Sequence, residues 1–358
     1  MRNVCEVRGD TCMPRFSIEQ LTELGLSIFR AVGAPDNEAQ IVTELLVKAN
    51  LTGHDSHGVL RIPEYVRAVR EGRIKPGAKV EVAAETPSTA SINGNWGFGQ
   101  VVATRSMEVA LDKATNTGIG AVGVLNCNHV GRLADYTMMA LAHDMIGIMV
   151  TNSFPLVAPF GGIDRMLNPS PISVAIPTGT AKPFVLDIST GAVAEGKVRV
   201  KMRRGEKVPL GWIIDKDGKP TDDPADFYRG GAILPLGGNL GYKGFGLGLF
   251  IDLMSGALTG VGCASSKEFK GGNGVFAIVV NIACFTPVER FKERVDNAIQ
   301  AIKLSKKAPG FTEILIPGEP ELAEEERRLR EGIFIEDETW RQISATAREL
   351  GVATTLDG

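Results

Sequence analysis

Five short apolar segments lie between residues 119 and 282, whereas both ends of the chain carry helical patterns. Each segment is bounded by glycine, proline or polar turn residues, which is typical of strands. The segments cover residues 119–125, 146–151, 172–176, 184–187 and 275–282. Helical patterns lie among them at about 133–142, 191–200 and 245–258. The sequence therefore predicts a central α/β body flanked by helices from both chain ends.

The helices at the two ends are expected to belong together. Ser17 and Gln20 have the spacing of a capping box and start a helix that runs to about residue 32. Further helices are expected to end near residue 51 and to cover 61–71 and 100–116, after an extended segment at 76–96. From residue 287 the chain is again helical and charged. We therefore expect a discontinuous helical domain, residues 1–117 and 286–358, and an α/β domain, residues 118–285.

The composition limits the partners and the setting of the protein. The chain has 358 residues and a formal net charge of -3, which argues against nucleic acid or an anionic membrane as the main partner. The charged amino-terminal residues do not resemble a signal peptide. An odd number of scattered cysteines without a Cys-x-x-Cys pair favours a reducing, cytoplasmic location. These are Cys5, Cys12, Cys127, Cys263 and Cys284.

Residues 244–262 resemble a membrane span, because this run of nineteen residues is mostly apolar and carries one charge, that of Asp252. A membrane helix needs about 20 apolar residues. However, both flanks look like loops of one soluble domain, and no second such run exists. We therefore predict a helix that is apolar on all faces and buried in the protein.

Glycine patterns suggest where a phosphate group could bind. Residues 118–123 match Gly-x-Gly-x-x-Gly, but a helix precedes them and a strand follows, the reverse of the order in dinucleotide-binding folds. A better candidate is the loop at 237–244 (GGNLGYKG), which precedes a helix and contains Lys243. Backbone amides at a helix start can hold phosphate. A flexible turn is the alternative.

Residues 53–65 (GHDSHGVLRIPEY) carry the densest set of reactive side chains in the chain. They include two of the four histidines, together with Ser56, Arg61 and Tyr65. The glycines let the backbone turn and approach a small ligand closely. Because histidine titrates near neutral pH, we expect the proton chemistry of an enzyme to begin here.

Polar residues at three strand ends could meet that stretch. His129 follows the first predicted strand, Ser153 follows the second, and Asp187 ends the fourth. Ligands gather at strand ends in α/β folds. The alternatives are a hydrogen-bonded histidine, a loop serine and a helix cap. If Ser189 or Thr190 caps the next helix instead, Asp187 is free to orient a histidine.

A metal site is the less favoured interpretation of the same stretch. His54 and His57 are three residues apart with Asp55 between them, but the flanking glycines disfavour a helix and no third ligand lies nearby in sequence. A metal-dependent lyase or hydrolase that uses His54, Asp55 and His129 is therefore kept only as an alternative. Gly-x-Ser-x-Gly and P-loop motifs are absent, which disfavours serine hydrolases and P-loop nucleotide hydrolases.

Several segments together resemble the type 2 malate/L-lactate dehydrogenase family, from about residue 16 to about residue 351. The most specific is the Asp-Ser-His-Gly sequence with Arg61 following it; residues 126–132, 151–153, 186–190 and 237–248 add to it. The resemblance implies a non-Rossmann fold. It consists of a three-layer α/β domain with a mixed, largely antiparallel sheet that binds NAD or NADP, plus a helical domain. Members are usually homodimers with sites near the subunit interface.

The resemblance also implies how a proton is handled. His57 would give the proton to the substrate carbonyl, and Ser56 and Asp187 would orient and polarise that histidine. In the ureidoglycolate branch of the family, the proton acceptor is instead the histidine that matches His129. The two assignments compete in this chain.

Substrate and cofactor contacts are implied in the same way. Arg61 would pair with the substrate carboxylate as a bidentate fork, while Tyr65 and Ser153 would line the pocket. The cofactor would contact Pro177, Thr178, Gly179, Asp187, Ile188, Ser189, Gly238, Lys243, Pro317, Gly318 and Glu319. In the 237–248 loop, which contains Lys243, the order of residues departs from the usual family pattern.

The expected activity is hydride transfer between NAD(P)H and C2 of a small 2-oxo acid, as in malate and lactate dehydrogenases. NAD is favoured over NADP, although a basic run could meet a 2′-phosphate instead of forming a solvated face. Alternatives of the same class are reduction of a cyclic imine such as piperideine-2-carboxylate and oxidation of ureidoglycolate. A nucleotide-binding protein without catalysis is a further alternative. The basic run consists of Arg199, Lys201, Arg203 and Arg204.

Overall fold

The computed structural model describes residues 15–354. Within that range the helices are α1 (Ile18–Ala31), α2 (Asp36–Leu51), α3 (Ile62–Arg70), α4 (Gly99–Thr117), α5 (Ala134–Thr137), α6 (Glu195–Arg203), α7 (Pro224–Tyr228), α8 (Tyr242–Asp252), α9 (Val288–Leu304), α10 (Glu319–Glu331) and α11 (Asp337–Glu349). The strands are β1 (Arg15–Phe16), β2 (Glu81–Glu85), β3 (Thr89–Asn93), β4 (Ile119–Cys127), β5 (Met145–Thr151), β6 (Pro171–Ile176), β7 (Phe184–Ser189), β8 (Ile213–Ile214), β9 (Pro220–Thr221), β10 (Ala232–Ile233), β11 (Asn273–Asn281) and β12 (Ile333–Phe334).

Seven strands form one mixed sheet in the order β2-β3-β4-β11-β5-β6-β7. β3 and β4 run parallel, and the other neighbouring pairs are antiparallel. β11 reaches the middle of the sheet from far along the chain, and its alternate residues Val275, Ala277 and Val279 are fully buried, as a pleated strand requires. The prediction of an α/β fold with a mixed, largely antiparallel sheet is confirmed.

Helix α4 lies against the sheet at close range because glycine permits it. A Cβ atom on Gly120 of β4 would lie 2.0 Å from the carbonyl oxygen of Ala110 on α4. No larger residue fits such an approach. The sheet and α4 enclose a core that includes Ile92, Val102, Met107, Val122 and Met149.

The two ends of the described chain meet in the structure. β1 pairs antiparallel with β12, and the amino-terminal helices share a core with α11 that includes Ile28, Phe29, Leu46, Val66 and Ile343. The capping box of α1 is present, with reciprocal hydrogen bonds between Ser17 and Gln20. Strands β2 and β3 belong to the large sheet, and α4 packs against it. All three lie in residues 81–117, which the sequence analysis assigned to the helical domain. The division into two domains at residue 117 stays a prediction.

Helix α8 corrects the prediction of a fully buried apolar helix. Its buried side includes Gly244 and Gly248: a Cβ atom on Gly244 would lie 2.2 Å from the carbonyl oxygen of Leu236, and one on Gly248 would lie 3.0 Å from the hydroxyl oxygen of Thr190. Several bulky side chains are nevertheless exposed in the single chain: Leu249 and Phe250 on α8, and Leu253 and Leu258 at the two ends of the π-helical segment that follows it. Within residues 15–354, no helix has both the length and the apolarity that a membrane span requires.

Candidate active site

The stretch at residues 53–65 forms two successive 3-10 turns, Asp55–His57 and Val59–Arg61, and leads into α3. Asn50, near the end of α2, sets their path. Its Oδ1 accepts a hydrogen bond from the backbone of Val59 at 2.7 Å, and its Nδ2 donates to Asp55 at 2.7 Å. A Cβ atom on Gly58 would lie 2.1 Å from the same Oδ1. Gly58 is therefore required for this turn.

Asp55 is held from the far end of the chain. Arg328 on α10 donates to both carboxylate oxygens of Asp55, at 2.6 and 3.1 Å, and to the carbonyl oxygen of Asn50 at 2.7 Å. This fork fixes the turn to the carboxy-terminal helices. His54 contacts the carbonyl of Thr52 at 3.1 Å. Within residues 15–354, no group of three His, Cys, Asp or Glu side chains is arranged to hold a metal ion.

One cavity of about 680 Å³ collects most of the predicted catalytic and substrate residues. The 3-10 turns and α3 form one wall, and the loops that follow β4 and β5 form another. The end of β7 closes the site. The predicted residues that line it are Ser56, His57, Arg61, Tyr65, His129, Ser153 and Ser189.

Two imidazoles stack at the centre of this cavity. The rings of His57 and His129 lie 5.4 Å apart, centroid to centroid, with 27° between their planes. His57 Nδ1 is 2.9 Å from Ser56 Oγ, and His129 Nδ1 is 2.7 Å from the hydroxyl of Tyr65. Burial lowers the pKa of His57 to about 3, and the nearby charge of Arg61 adds to this effect. Burial, Arg61 and His57 lower the pKa of His129 as well.

The loop that carries His129 is held by bonds to distant segments. Asn128 Nδ2 lies 2.9 to 3.1 Å from three carbonyl oxygens in residues 73–97. The backbone N–H of Val130 donates to Asn273 Oδ1 at 3.0 Å. A Cβ atom on Gly99 would lie 2.2 Å from the carbonyl oxygen of His129. The imidazole is thus placed by β11 and α4 together.

Arg61 is oriented before any substrate binds. Its Nε donates to the carbonyl of Ser56 at 2.8 Å, and its Nη1 donates to Glu64 at 2.7 Å. Among the described residues, these two bonds use two of the five N–H donors of the guanidinium. The Nη2 end is therefore available to a carboxylate in the cavity.

Asp187 lies beside the cavity and contacts a helix start. Its Oδ2 accepts a hydrogen bond from the backbone of Ala134 at 2.7 Å, which caps α5. Ser189 donates its hydroxyl to a backbone carbonyl, and α6 begins only at Glu195 without a side-chain cap. Burial raises the pKa of Asp187 to about 6, against the opposing effects of the Ala134 N–H and the charge of Arg132. That Asp187 orients a histidine stays a prediction.

A buried ion pair that the sequence did not reveal lies next to Asp187. Arg132 Nη1 donates to Asp135 at 2.7 Å, and the two side chains are only 3% and 6% exposed. Burial raises the pKa of Asp135, and Arg132 opposes the rise. Buried pairs of this kind keep their geometry because separating them is costly.

One predicted cofactor segment, residues 317–319, lies against the edge strand β7. Pro317 accepts a hydrogen bond from Val185 at 3.0 Å, and Gly318 has the left-handed φ of 99° that brings it against the same residue. Glu319 pairs with Lys303 at 2.7 Å. Ile188 is exposed on the same strand.

The other two cofactor segments have different surroundings. The amides of Gly179 and Thr180, beside Pro177 and Thr178, donate to the carboxylate of Asp296, at 3.1 and 2.7 Å. They are therefore already paired with an acid. Gly238 and Lys243 are exposed and lie outside the cavity wall, although their loop joins the end of β7 through the bond from Leu236 N to Thr190 O at 2.9 Å.

The basic run on α6 is largely neutralised by acids. Arg199 pairs with Glu195 at 3.0 Å, Lys201 with Glu206, and Arg204 with Glu336 at 2.6 Å. Such pairs are common on exposed helices. The same basic residues also line a second cavity that reaches Ser56 and Arg61, and the preference for NAD over NADP stays a prediction.

Comparison with known proteins identifies the family of the chain. Residues 16–344 match the model of the malate/L-lactate dehydrogenase family. The chain belongs to this family. It is 41% identical to a malate dehydrogenase of Pyrococcus abyssi, over 94% of this chain and 95% of that one. It is 39% identical to an L-sulfolactate dehydrogenase of Methanocaldococcus jannaschii, over 93% and 96%.

A solved structure gives the same result for the fold. The malate dehydrogenase of Pyrococcus horikoshii superposes with a TM-score of 0.88 at 38% identity, covering 97% of this chain and 99% of that one. Membership of a dehydrogenase family supports an oxidoreductase. Local sequence patterns did not single out the polar residues that hold the segments of this site or lie beside it. These residues are Asn50, Gln100, Arg132, Asn273 and Arg328.

Proposed function

We propose that the protein transfers a hydride reversibly between a nicotinamide cofactor and C2 of a small 2-hydroxy or 2-oxo acid. The observation that supports this most is the meeting of Arg61 with His57 and His129 in one cavity. A guanidinium suits a carboxylate, and an imidazole suits a proton on the neighbouring oxygen. The relatives named malate and L-sulfolactate dehydrogenases act on acids of this class.

The cavity fits such a reaction. Its volume of about 680 Å³ is within the usual range for small-ligand sites and leaves room for an acid beside a nicotinamide ring. Gly196 leaves space in one wall of the cavity, because a Cβ atom there would lie 3.1 Å from the Cβ atom of Ser56. When bound, the cofactor supplies or accepts the hydride. The chain supplies orientation and the proton.

In the reductive direction, Arg61 holds the carboxylate and His57 gives a proton to the carbonyl oxygen. Negative charge grows on that oxygen as C2 gains the hydride, so a proton donor at hydrogen-bond distance lowers the barrier. In the oxidative direction, neutral His57 takes the hydroxyl proton. Ser56 stays bonded to Nδ1 in both states, because a hydroxyl can donate or accept.

The low pKa of His57 implies that the substrate helps to load the proton. Burial and the charge of Arg61 lower this pKa to about 3 in the free site. A substrate carboxylate on Arg61 offsets that charge and favours the imidazolium. The imidazole of the free site is thus neutral near pH 7, and an anionic acid on Arg61 raises its pKa by offsetting that charge.

For the cofactor we propose NAD, with NADP as the alternative, along the edge strand β7. The residues assigned to it are Asp187, Ile188 and Ser189 on that strand, and Pro317 and Gly318 beside it. Two observations support this proposal. The amides beside Pro177 already pair with Asp296, which favours β7 as the place of the cofactor. The basic residues at the end of α6, which could meet a 2′-phosphate, are mostly paired with acids, which favours NAD over NADP.

We also propose a homodimer. The exposed apolar side chains of α8 and of the segment after it, Leu249, Phe250, Leu253 and Leu258, form a surface that a second copy could cover. Light scattering of the purified protein is expected to give about twice the chain mass of 38.2 kDa. A mass of one chain at micromolar concentration would contradict the proposal.

The test of the function is a cofactor and substrate screen. NADH and NADPH are titrated separately while their fluorescence is followed, and 2-oxo acids with and without a second acidic group are then added. We expect loss of reduced-cofactor absorbance with a 2-oxo acid. Piperideine-2-carboxylate tests the cyclic-imine alternative in the same assay. Activity that needs no nicotinamide and is abolished by a chelator would overturn the proposal.

A further inference from the structure

A chain of buried hydrogen bonds ends on one of the two histidines and not on the other. Gln100 on α4 is 1% exposed and Tyr65 on α3 is 2% exposed. Gln100 Nε2 lies 2.8 Å from the Tyr65 hydroxyl, which in turn lies 2.7 Å from His129 Nδ1. His57 instead contacts Ser56 Oγ. The two imidazoles therefore differ in how their protons are constrained.

The direction of each bond follows from the chemistry of the donors. An amide nitrogen only donates, so the Tyr65 oxygen accepts from Gln100. Among the hydrogen bonds of the described residues, His129 Nδ1 is the remaining partner of this hydroxyl and can accept its single proton, so the proton is directed there. A nitrogen that accepts a hydrogen bond carries no proton, and a neutral imidazole keeps its proton on the other nitrogen, Nε2.

The orientation of the Gln100 amide decides the outcome. As placed, its Nε2 is paired and its Oε1, buried, is the atom without a partner. Rotating the amide would leave two N–H donors unpaired, and orphaned donors are rarer in proteins than under-used carbonyl oxygens. Burial also raises the pKa of Tyr65, so its hydroxyl keeps the proton that it donates.

We propose that Gln100, acting through Tyr65, holds His129 as the neutral tautomer with its proton on Nε2. His129 then donates a hydrogen bond to the substrate oxygen but does not exchange its proton. His57 does, because Ser56 Oγ accommodates either protonation state. Gln100 is a positioning residue in this scheme. The role of this tautomer in catalysis rests on the proposed dehydrogenase reaction. The tautomer itself is inferred from the hydrogen bonds alone.

Nitrogen NMR of histidine-labelled protein tests the tautomer directly. The chain has four histidines, so each signal can be assigned from a single substitution. We expect the free protein to show His129 with an unprotonated Nδ1 and a protonated Nε2. A proton on Nδ1 of His129 would overturn the proposal.

Two variants test the chain of bonds in opposite ways. Tyr65→Phe removes the donor, and we expect the two tautomers of His129 to become mixed. Gln100→Glu replaces the donor with an acceptor, and we expect the proton to move to Nδ1. If the buried glutamate prevents folding, Tyr65→Phe alone decides. An unchanged His129 signal in Tyr65→Phe would overturn the proposal.

Tyr136→Phe is the matched control. Tyr136 is also buried and donates its hydroxyl within the same loop, to the carbonyl of Val130. We expect this variant to leave the His129 tautomer unchanged. An equal change in both phenylalanine variants would show general disturbance of the loop and would overturn the assignment to Tyr65.

The pH profile of kcat/KM links the tautomer to catalysis. The charged and titratable groups facing His129 are His57, Arg61 and Tyr65. We expect Tyr65→Phe to add an ionisation to the profile and Tyr136→Phe to add none. An identical profile in wild type and Tyr65→Phe would overturn the catalytic part. The expected tautomer without any hydride transfer would overturn the proposed function alone.

Discussion

Replacing His57 with glutamine is expected to lower turnover of the 2-oxo acid by about 100- to 10,000-fold, the usual contribution of a positioned acid or base. Glutamine keeps the approximate shape but exchanges no proton near neutral pH. Because His57 contacts Ser56 and the stacked ring of His129, we expect the cavity to persist. Cofactor affinity, measured by fluorescence titration, should change little. Stopped-flow measurement of the absorbance of the reduced cofactor gives the turnover.

His129→Gln is the informative comparison for that variant. Glutamine retains an N–H donor near the position of Nε2, so a residue that only donates a hydrogen bond should be largely replaced. We expect a loss smaller than about 100-fold, below the usual cost of removing an oxyanion donor. His143→Gln, at an exposed histidine, controls for the loss of an imidazole. If His57→Gln barely changes turnover and His129→Gln abolishes it, the proton belongs to His129.

The second large effect is expected at Arg61. Arg61→Leu should lower kcat/KM for a 2-oxo acid by about 30- to 5,000-fold, which corresponds to the loss of about 2–5 kcal/mol when one partner of a buried charged pair is removed. The loss should fall mainly on substrate binding, since the proposed contact of Arg61 is with the carboxylate and not with the reacting carbonyl. Steady-state kinetics with saturating cofactor measures it.

Two further variants separate the carboxylate contact from the fold. Arg61→Lys keeps the charge but not the planar fork, so we expect only partial recovery. Arg67→Leu, an exposed arginine further along α3, is the matched control and should keep wild-type kinetics. Arg61 also donates to the carbonyl of Ser56. Equal losses of cofactor affinity and kcat/KM in Arg61→Leu would therefore indicate a collapsed turn and contradict the carboxylate role.

Much of the fold could be predicted from the sequence because its signals are local. All five strand segments appear in the sheet, since alternation and bounding glycines reflect the pleat itself. The capping box at Ser17 and Gln20 formed as expected, because both partners lie within one turn. The pairing of chain ends and the position of β11 in the sheet depend on long-range contacts, and only the structure gives them.

For the candidate site, the sequence alone indicated which residues we propose to carry the chemistry. Ser56, His57 and Arg61 lie within one short turn, and His129 follows a strand, so their types and spacing could be read locally. Their meeting in one cavity is a property of the tertiary structure. The exposed face of α8 is another, since its composition alone indicated burial on every side.

Only the tertiary structure decided how those residues are held, and the proposed tautomer of His129 rests on those contacts. Asp55 is fixed by Arg328, which lies 273 residues further along the chain, and Val130 by Asn273, 143 residues away. Gln100 reaches His129 only through Tyr65. The physical reason is that a buried polar group must find a hydrogen-bond partner wherever the fold supplies one. Side-chain patterns reveal which groups need partners, and the packed structure determines which partners they find.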